Sequence, residues 1–120
     1  MGNLAQSLEE LMQIDGASAA AVVDSNSGMV LGKAGGGGLD LDVAGAGNTE
    51  VVRAKIKTMR ALGLNDTIND MLITLGKQYH LIRPSARTEG VFVYYVLDKN
   101  RANLALARRK VQDVEKTLTV

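Results

Sequence analysis

The sequence contains no cysteine and no tryptophan, and it has only one phenylalanine, one proline and one histidine. Without cysteine there is no disulfide, no thiolate metal site and no cysteine nucleophile, and a reducing compartment is compatible. With one Phe and three Tyr, few rings are present to stack bases or sugars, so no nucleic-acid partner is expected. Lys and Arg total 14 against 13 Asp and Glu, and this balance gives no global pull on a polyanion. No apolar run reaches the ~18 residues a membrane span needs. The opening Met1-Gly2-Asn3-Leu4 lacks the basic-then-apolar order of a secretory signal. Gln6 stands where myristoylation wants Ser or Thr. The expectation is a cytoplasmic protein with no membrane insertion.

What is present is a globular composition, 46% hydrophobic and 22% charged over 120 residues. That length suits one domain spanning 1–120 with a core of aliphatic side chains. Leu4, Leu8, Leu11 and Met12 are spaced as one face of a helix over Leu4 to Ile14, and Gly16 is placed to end it. Ala17 to Asp24 is apolar on both alternations, as in a strand buried on two faces. Ser25 to Gly28 is a turn and Met29 to Ala34 a second strand, completing a hairpin. Gly35 to Gly38 reads as a flexible connector, after which Asp40 or Asp42 can cap a helix over Leu41 to Leu62, ended by Gly63. Three strands follow, Thr67 to Leu75, Tyr79 to Arg83 and Val91 to Asp98, with Asn100 placed to cap a last helix over Arg101 to Leu118. The order α-β-β-α-β-β-β-α predicts an α+β sandwich: one five-stranded antiparallel sheet with helices on both faces.

The middle helix carries two apolar stripes. At about 100° per residue, Val52, Ile56 and Met59 fall together and suit the sheet. Ala44, Gly47, Val51, Ala54, Thr58 and Ala61 form a second stripe at the 3-and-4 spacing of packed helices. All six are small or β-branched, which lets two helix backbones approach closely. Glu50, Arg53, Lys57 and Arg60 fall on a third, solvated face, and Lys55 lies between the apolar stripes. With the sheet as one partner and the other helices on the opposite sheet face, the small-residue stripe meets its own copy in a twofold dimer. The competing reading places both stripes in one intramolecular core.

Catalytic patterns are missing. Gly28 to Lys33 imitates a phosphate-binding loop but has three residues between its glycines instead of four, and Ala34 stands where Ser or Thr should hold magnesium. Asp40 and Asp42 would repel a phosphate at the start of the middle helix. His80 has no nucleophile spaced beside it, and the carboxylates are too scattered to gather a metal. Neither a catalytic residue nor a cofactor or metal ligand is assigned, and the chain does not read as an enzyme. The C-terminal Arg108-Arg109-Lys110 reads as a solvated helix face.

Three stretches resemble the Roadblock / dynein light chain family: Leu8 to Ala17 with Ala20 to Asp24 and Gly28; Asp70 to Thr74 with Tyr79 to Pro84; and Val91 to Asp98 with Asn103 to Arg108. The last of these is similar to bacterial members. The four-glycine run is not part of the family pattern. The resemblance implies a profilin-like fold and a homodimer joined through the middle helix and the edge strand before His80. The interface would then comprise the stripe from Ala44 to Ala61 together with Ile68, Asp70 and Leu72. It also implies a non-catalytic adaptor that binds or regulates a small Ras-like GTPase, with Glu50, Arg53, Lys57 and Arg60 as the partner-binding face. Two alternatives stay open. One is a structural subunit of a motor or scaffold complex. The other is a small-ligand sensor, disfavoured by the few aromatics and the lack of convergent polar groups.

Overall fold

The computed structural model describes residues 2–120. The elements are α1 (Leu4–Met12), β1 (Ala17–Asp24), β2 (Val30–Gly35), α2 (Leu41–Ala61), β3 (Met71–Thr74), β4 (Gln78–Pro84), β5 (Val91–Asp98) and α3 (Leu104–Thr117). The five strands form one sheet in the order β2-β1-β5-β4-β3, with every neighbouring pair antiparallel. The two continuously apolar segments, β1 and β5, lie at its centre. Their alternation splits the core in two. Ala20, Val22, Val93, Tyr95 and Leu97 face Leu8 and Leu11 of α1 and Ala107, Val111 and Val114 of α3. Ala19, Ala21, Val23, Phe92, Tyr94 and Val96 face Leu41 and Val52 of α2. The sheet therefore has α1 and α3 on one face and α2 alone on the other, as the element order implied.

Several long-range bonds lock the layers. The Tyr95 hydroxyl donates to the Leu11 carbonyl at 2.5 Å, and burial pushes its pKa up. Arg83 of β4 donates through Nε to Glu115 of α3 at 2.9 Å, where both side chains are largely buried. Loss of either partner from such a pair costs about 3–5 kcal/mol. The N-terminus is held to the C-terminus by Asn3, whose Oδ1 accepts the Thr119 N–H at 2.8 Å.

The structure corrects four boundaries. First, the strand expected over Thr67 to Leu75 is only Met71–Thr74. The reason lies on its neighbour. Ser85 N–H donates to Val91 O, so alternation turns Pro84 toward the β3 side, where proline has no N–H to offer. Asp70, one residue before the strand, is instead drawn to Arg108 by three hydrogen bonds of 2.8–3.2 Å. Second, the last helix starts at Leu104. Asn103 caps it, its Oδ1 accepting the Leu106 N–H, while the Asn100 N–H is taken by Asp98 in a turn. Third, α1 ends at Met12, two residues short of the expected Ile14. Fourth, the glycine run is not a plain connector. Gly35 ends β2 opposite Ala19, and the Gly36 N–H donates to Ser18 O at 3.0 Å.

All four glycines have positive φ, but they are not equivalent. A Cβ on Gly35 (φ 70°) would collide with the Ser18 carbonyl oxygen, whereas one on Gly37 (φ 53°) would meet nothing within 4 Å. Gly37→Ala should cost about 1 kcal/mol, the backbone penalty alone, and Gly35→Ala should cost clearly more. Urea midpoints of the two variants measure the difference. Equal losses would show that the end of β2 is not held as described.

Candidate functional site

Apart from Ala44 at its start, the outward surface of α2 enters neither core cluster. Asp40 starts the helix, its Oδ1 accepting the N–H groups of Asp42 and Val43 at 3.1 and 3.2 Å. The sheet-facing stripe begins with Leu41, Gly45, Thr49 and Val52, all buried, and continues through half-buried Ile56 and Met59. Gly45 lets the helix lie close, since a Cβ there would come within 2.6 Å of Val30 Cγ2. The Thr49 hydroxyl is satisfied by the Gly45 carbonyl at 2.8 Å.

The small-residue stripe lies on the other side of the helix. Ala44 is half-buried at its start, while Gly47, Val51, Ala54, Thr58 and Ala61 are exposed. Exposed Val43 and Leu62 extend this apolar strip at its two ends. Thr58 turns its hydroxyl back to the Ala54 carbonyl at 2.9 Å and so presents its methyl group outward. Glu50, Arg53, Lys57 and Arg60 are exposed, and so is Lys55. Among the described residues none of these five enters an ion pair; the one pair of α2 is Asp42 with Lys33. Four cations against one carboxylate leave this half of the helix with a surplus of three positive charges. Arg60 also borders a cleft of about 620 Å3 lined by Val52, Ile56, Met59 and Phe92.

The edge strand residues separate. β3 is the outermost strand, with one edge free. Leu72 pairs with Leu81 and packs on the α1/α3 side. Ile68 lies ahead of the strand beside the cleft, and Asp70 is held by Arg108. On the α2 side of β3 the residues are Met71, opposite Ile82, and Ile73, opposite His80, with Ile73 exposed. Ile73 is of the opposite parity to Ile68, Asp70 and Leu72, and strand alternation alone cannot say which parity faces α2.

His80 was also undervalued. Its ring stands edge-on to Tyr94, centroids 5.4 Å apart. In the tautomer that satisfies both nitrogens, Tyr94 O–H donates to Nδ1 at 3.0 Å and Nε2–H donates to Gln78 Oε1 at 2.9 Å. Asn48 of α2, whose Nδ2 donates to the Ala44 carbonyl at 2.8 Å, also lowers the Tyr94 pKa slightly against the effect of burial. Both rings need to be uncharged here: burial lowers the His80 pKa from 6.5 and raises that of Tyr94. No charged group contributes to either shift. No group of three metal-capable side chains is present among the described residues.

A histidine with a depressed folded-state pKa takes up protons more readily when unfolded. Stability should therefore fall as pH drops below 6.5 and be insensitive to this group above about pH 7.5. Urea unfolding at pH 5.5 and 7.5, for wild type and His80→Gln, tests this; the acid loss should shrink in the variant, and an unchanged loss would remove His80 as its source.

No family model matches the sequence, and no curated protein matches it. Solved structures do. A Roadblock/LC7 domain from Streptomyces avermitilis superposes with a TM-score of 0.80 at 12% identity, covering 92% of this chain and 90% of that one. MglB from Myxococcus xanthus gives 0.81 at 16% identity, covering 96% and 93%. MglC from Myxococcus xanthus gives 0.62 at 17% identity, covering 94% and 93%.

Proposed function

The chain has the Roadblock/LC7 fold, and we propose that it works as a non-catalytic homodimeric adaptor that binds or regulates a small Ras-like GTPase. The observation that carries the reading is the uncovered stripe of α2. A twofold axis perpendicular to a helix sets it antiparallel to its copy. About a point between Val52 and Arg53, such a pairing sets Ala44 against Ala61 of a second copy, Gly47 against Thr58 and Val51 against Ala54. The same register sets exposed Val43 against exposed Leu62. A single register that matches small residue to small residue along five turns, and closes both ends with a large apolar pair, is what a self-complementary surface requires. The free edge of β3 and exposed Ile73 offer a second contact on the α2 side of the sheet. An unpaired strand edge is otherwise a liability that proteins cover.

The adaptor role follows from what remains exposed once that stripe is covered. Glu50, Arg53, Lys57 and Arg60 flank the seam on its outer side, and twofold symmetry duplicates them into one broad, mainly basic surface. The fold offers no reactive side chain there. Any stimulation of GTP hydrolysis would come from ordering the GTPase's own switch loops against this surface. The GTPase partner itself rests on the family resemblance of the sequence, with the charged surface as its physical support.

The test is binding of a purified small Ras-like GTPase from the source organism, loaded with GDP or a non-hydrolysable GTP analogue. Wild type should bind in one nucleotide state, and Arg53→Glu with Lys57→Glu should weaken binding at least tenfold without changing the oligomeric state. Unchanged binding would remove this face as the contact, and no binding in either state would contradict the adaptor reading.

A further inference from the structure

On the sheet face opposite α2, a polar cleft of about 710 Å3 opens between α3 and the segment leading into β3. Asn69, Asp70, Arg83, Arg108, Arg109 and Gln112 line it. Three guanidinium groups thus converge from two elements, and each has donors to spare. Arg83 is bound to Glu115 through Nε alone, and its two terminal nitrogens have no partner among the described residues. Arg108 holds Asp70 through Nε and one terminal nitrogen, leaving the other free. Arg109 stands 3.7 Å from Asp113, beyond hydrogen-bond range, and is 77% exposed. The side-chain amides of Asn69 and Gln112 also have no partner among the described residues.

The basic character continues along α3. Lys116 lies one turn beyond Gln112 on the same face, and Arg87 reaches its carbonyl at 3.1 Å. The carboxylates facing this stripe are Asp70, Asp113 and Glu115. Against them stand Arg83, Arg87, Arg108, Arg109 and Lys116, a surplus of two positive charges. Ala105 is the one apolar side chain in the lining, so the cleft gives no purchase to a large apolar body.

We propose that this cleft binds a compact dianion of the phosphate-monoester type, held by the terminal nitrogens of Arg83, Arg108 and Arg109 and by the amides of Asn69 and Gln112. Guanidinium groups present paired donors that match a phosphate's oxygens, and the surplus charge equals that of the ligand. The largely buried contact of Arg83 with Glu115 and the bidentate, more exposed contact of Arg108 with Asp70 hold two of the three forks before any ligand arrives, which reduces the ordering cost of binding. The site lies on the opposite sheet face from the α2 seam.

The experiment is a titration of the isotope-labelled full chain with inorganic phosphate at pH 7.5, with ionic strength held constant by chloride and amide chemical shifts followed. Saturable shifts at Asn69, Asp70, Arg108, Arg109 and Gln112 are expected. Arg109→Gln should weaken the affinity about tenfold, the scale of one charge-assisted contact, with no change in melting temperature without phosphate. Gln112→Leu keeps every charge and should still weaken binding several-fold, which diffuse attraction to a basic surface would not produce. Unsaturable shifts, equal affinity in both variants, or a response only to vesicles containing anionic phospholipid would overturn the proposal. Unchanged light scattering of both variants separates any such failure from a failure of the dimer.

Discussion

The structure depends on one unequal division: a five-stranded sheet with two helices on one face and a single helix on the other. α1 and α3 share the first face and bury one set of strand residues between them. α2 must cover the second face alone, and it does so with one stripe, Leu41 to Met59. Everything else on α2 is left to solvent or to another molecule. In the proposed function, the small apolar second face and the unpaired cations of the third face serve two further contacts, the first self-complementary in shape and the second complementary in charge to something acidic.

The sheet makes this division possible by placing its most hydrophobic strands inside. β1 and β5 are buried on both faces, so neither helix layer can be lost without exposing a full set of apolar residues. Alanines and Gly45 keep α2 close to the strands, and the Tyr94–His80–Gln78 chain ties β5 to β4 beneath it with hydrogen bonds that suit a neutral histidine. The helix therefore presents its outer surface on a firm base. A rigid base would serve the proposed adaptor role, because a surface that recognises by shape and charge loses affinity with every degree of freedom it must first freeze.

Much of this was legible from local pattern. β1 and β5 matched their expected bounds, because an unbroken apolar run closed by Asp is a strong signal. The two stripes of α2 followed from spacing alone, and so did the placement of α1 and α3 opposite it. The failures were all non-local. β3 is short because Pro84 of the neighbouring strand lacks a donor and because Arg108, 38 residues away in sequence, claims Asp70. Gly35 belongs to β2 because of the Ser18 carbonyl on β1. The cap expected at Asn100 falls instead at Asn103, because Asn100 lies in a turn closed by Asp98. His80 reads as isolated because its ring partner, Tyr94, lies on another strand, 14 residues away in sequence. Of the proposed edge positions, Leu72 lies on the α1/α3 side while Ile73 lies on the α2 side, a choice that alternation leaves open until the register is known.

The central claim is that the small-residue stripe of α2 meets a second copy. Size-exclusion chromatography with light scattering, over a range of concentrations, tests it directly with wild type and Ala54→Glu. Ala54 is exposed in the single chain, so the substitution leaves the fold intact, as far-UV circular dichroism would show, yet places a charge at the centre of the seam. The account predicts a wild-type mass of twice 12.7 kDa and a folded Ala54→Glu monomer. A folded wild-type monomer at every concentration, or a variant dimer as stable as wild type, would contradict it.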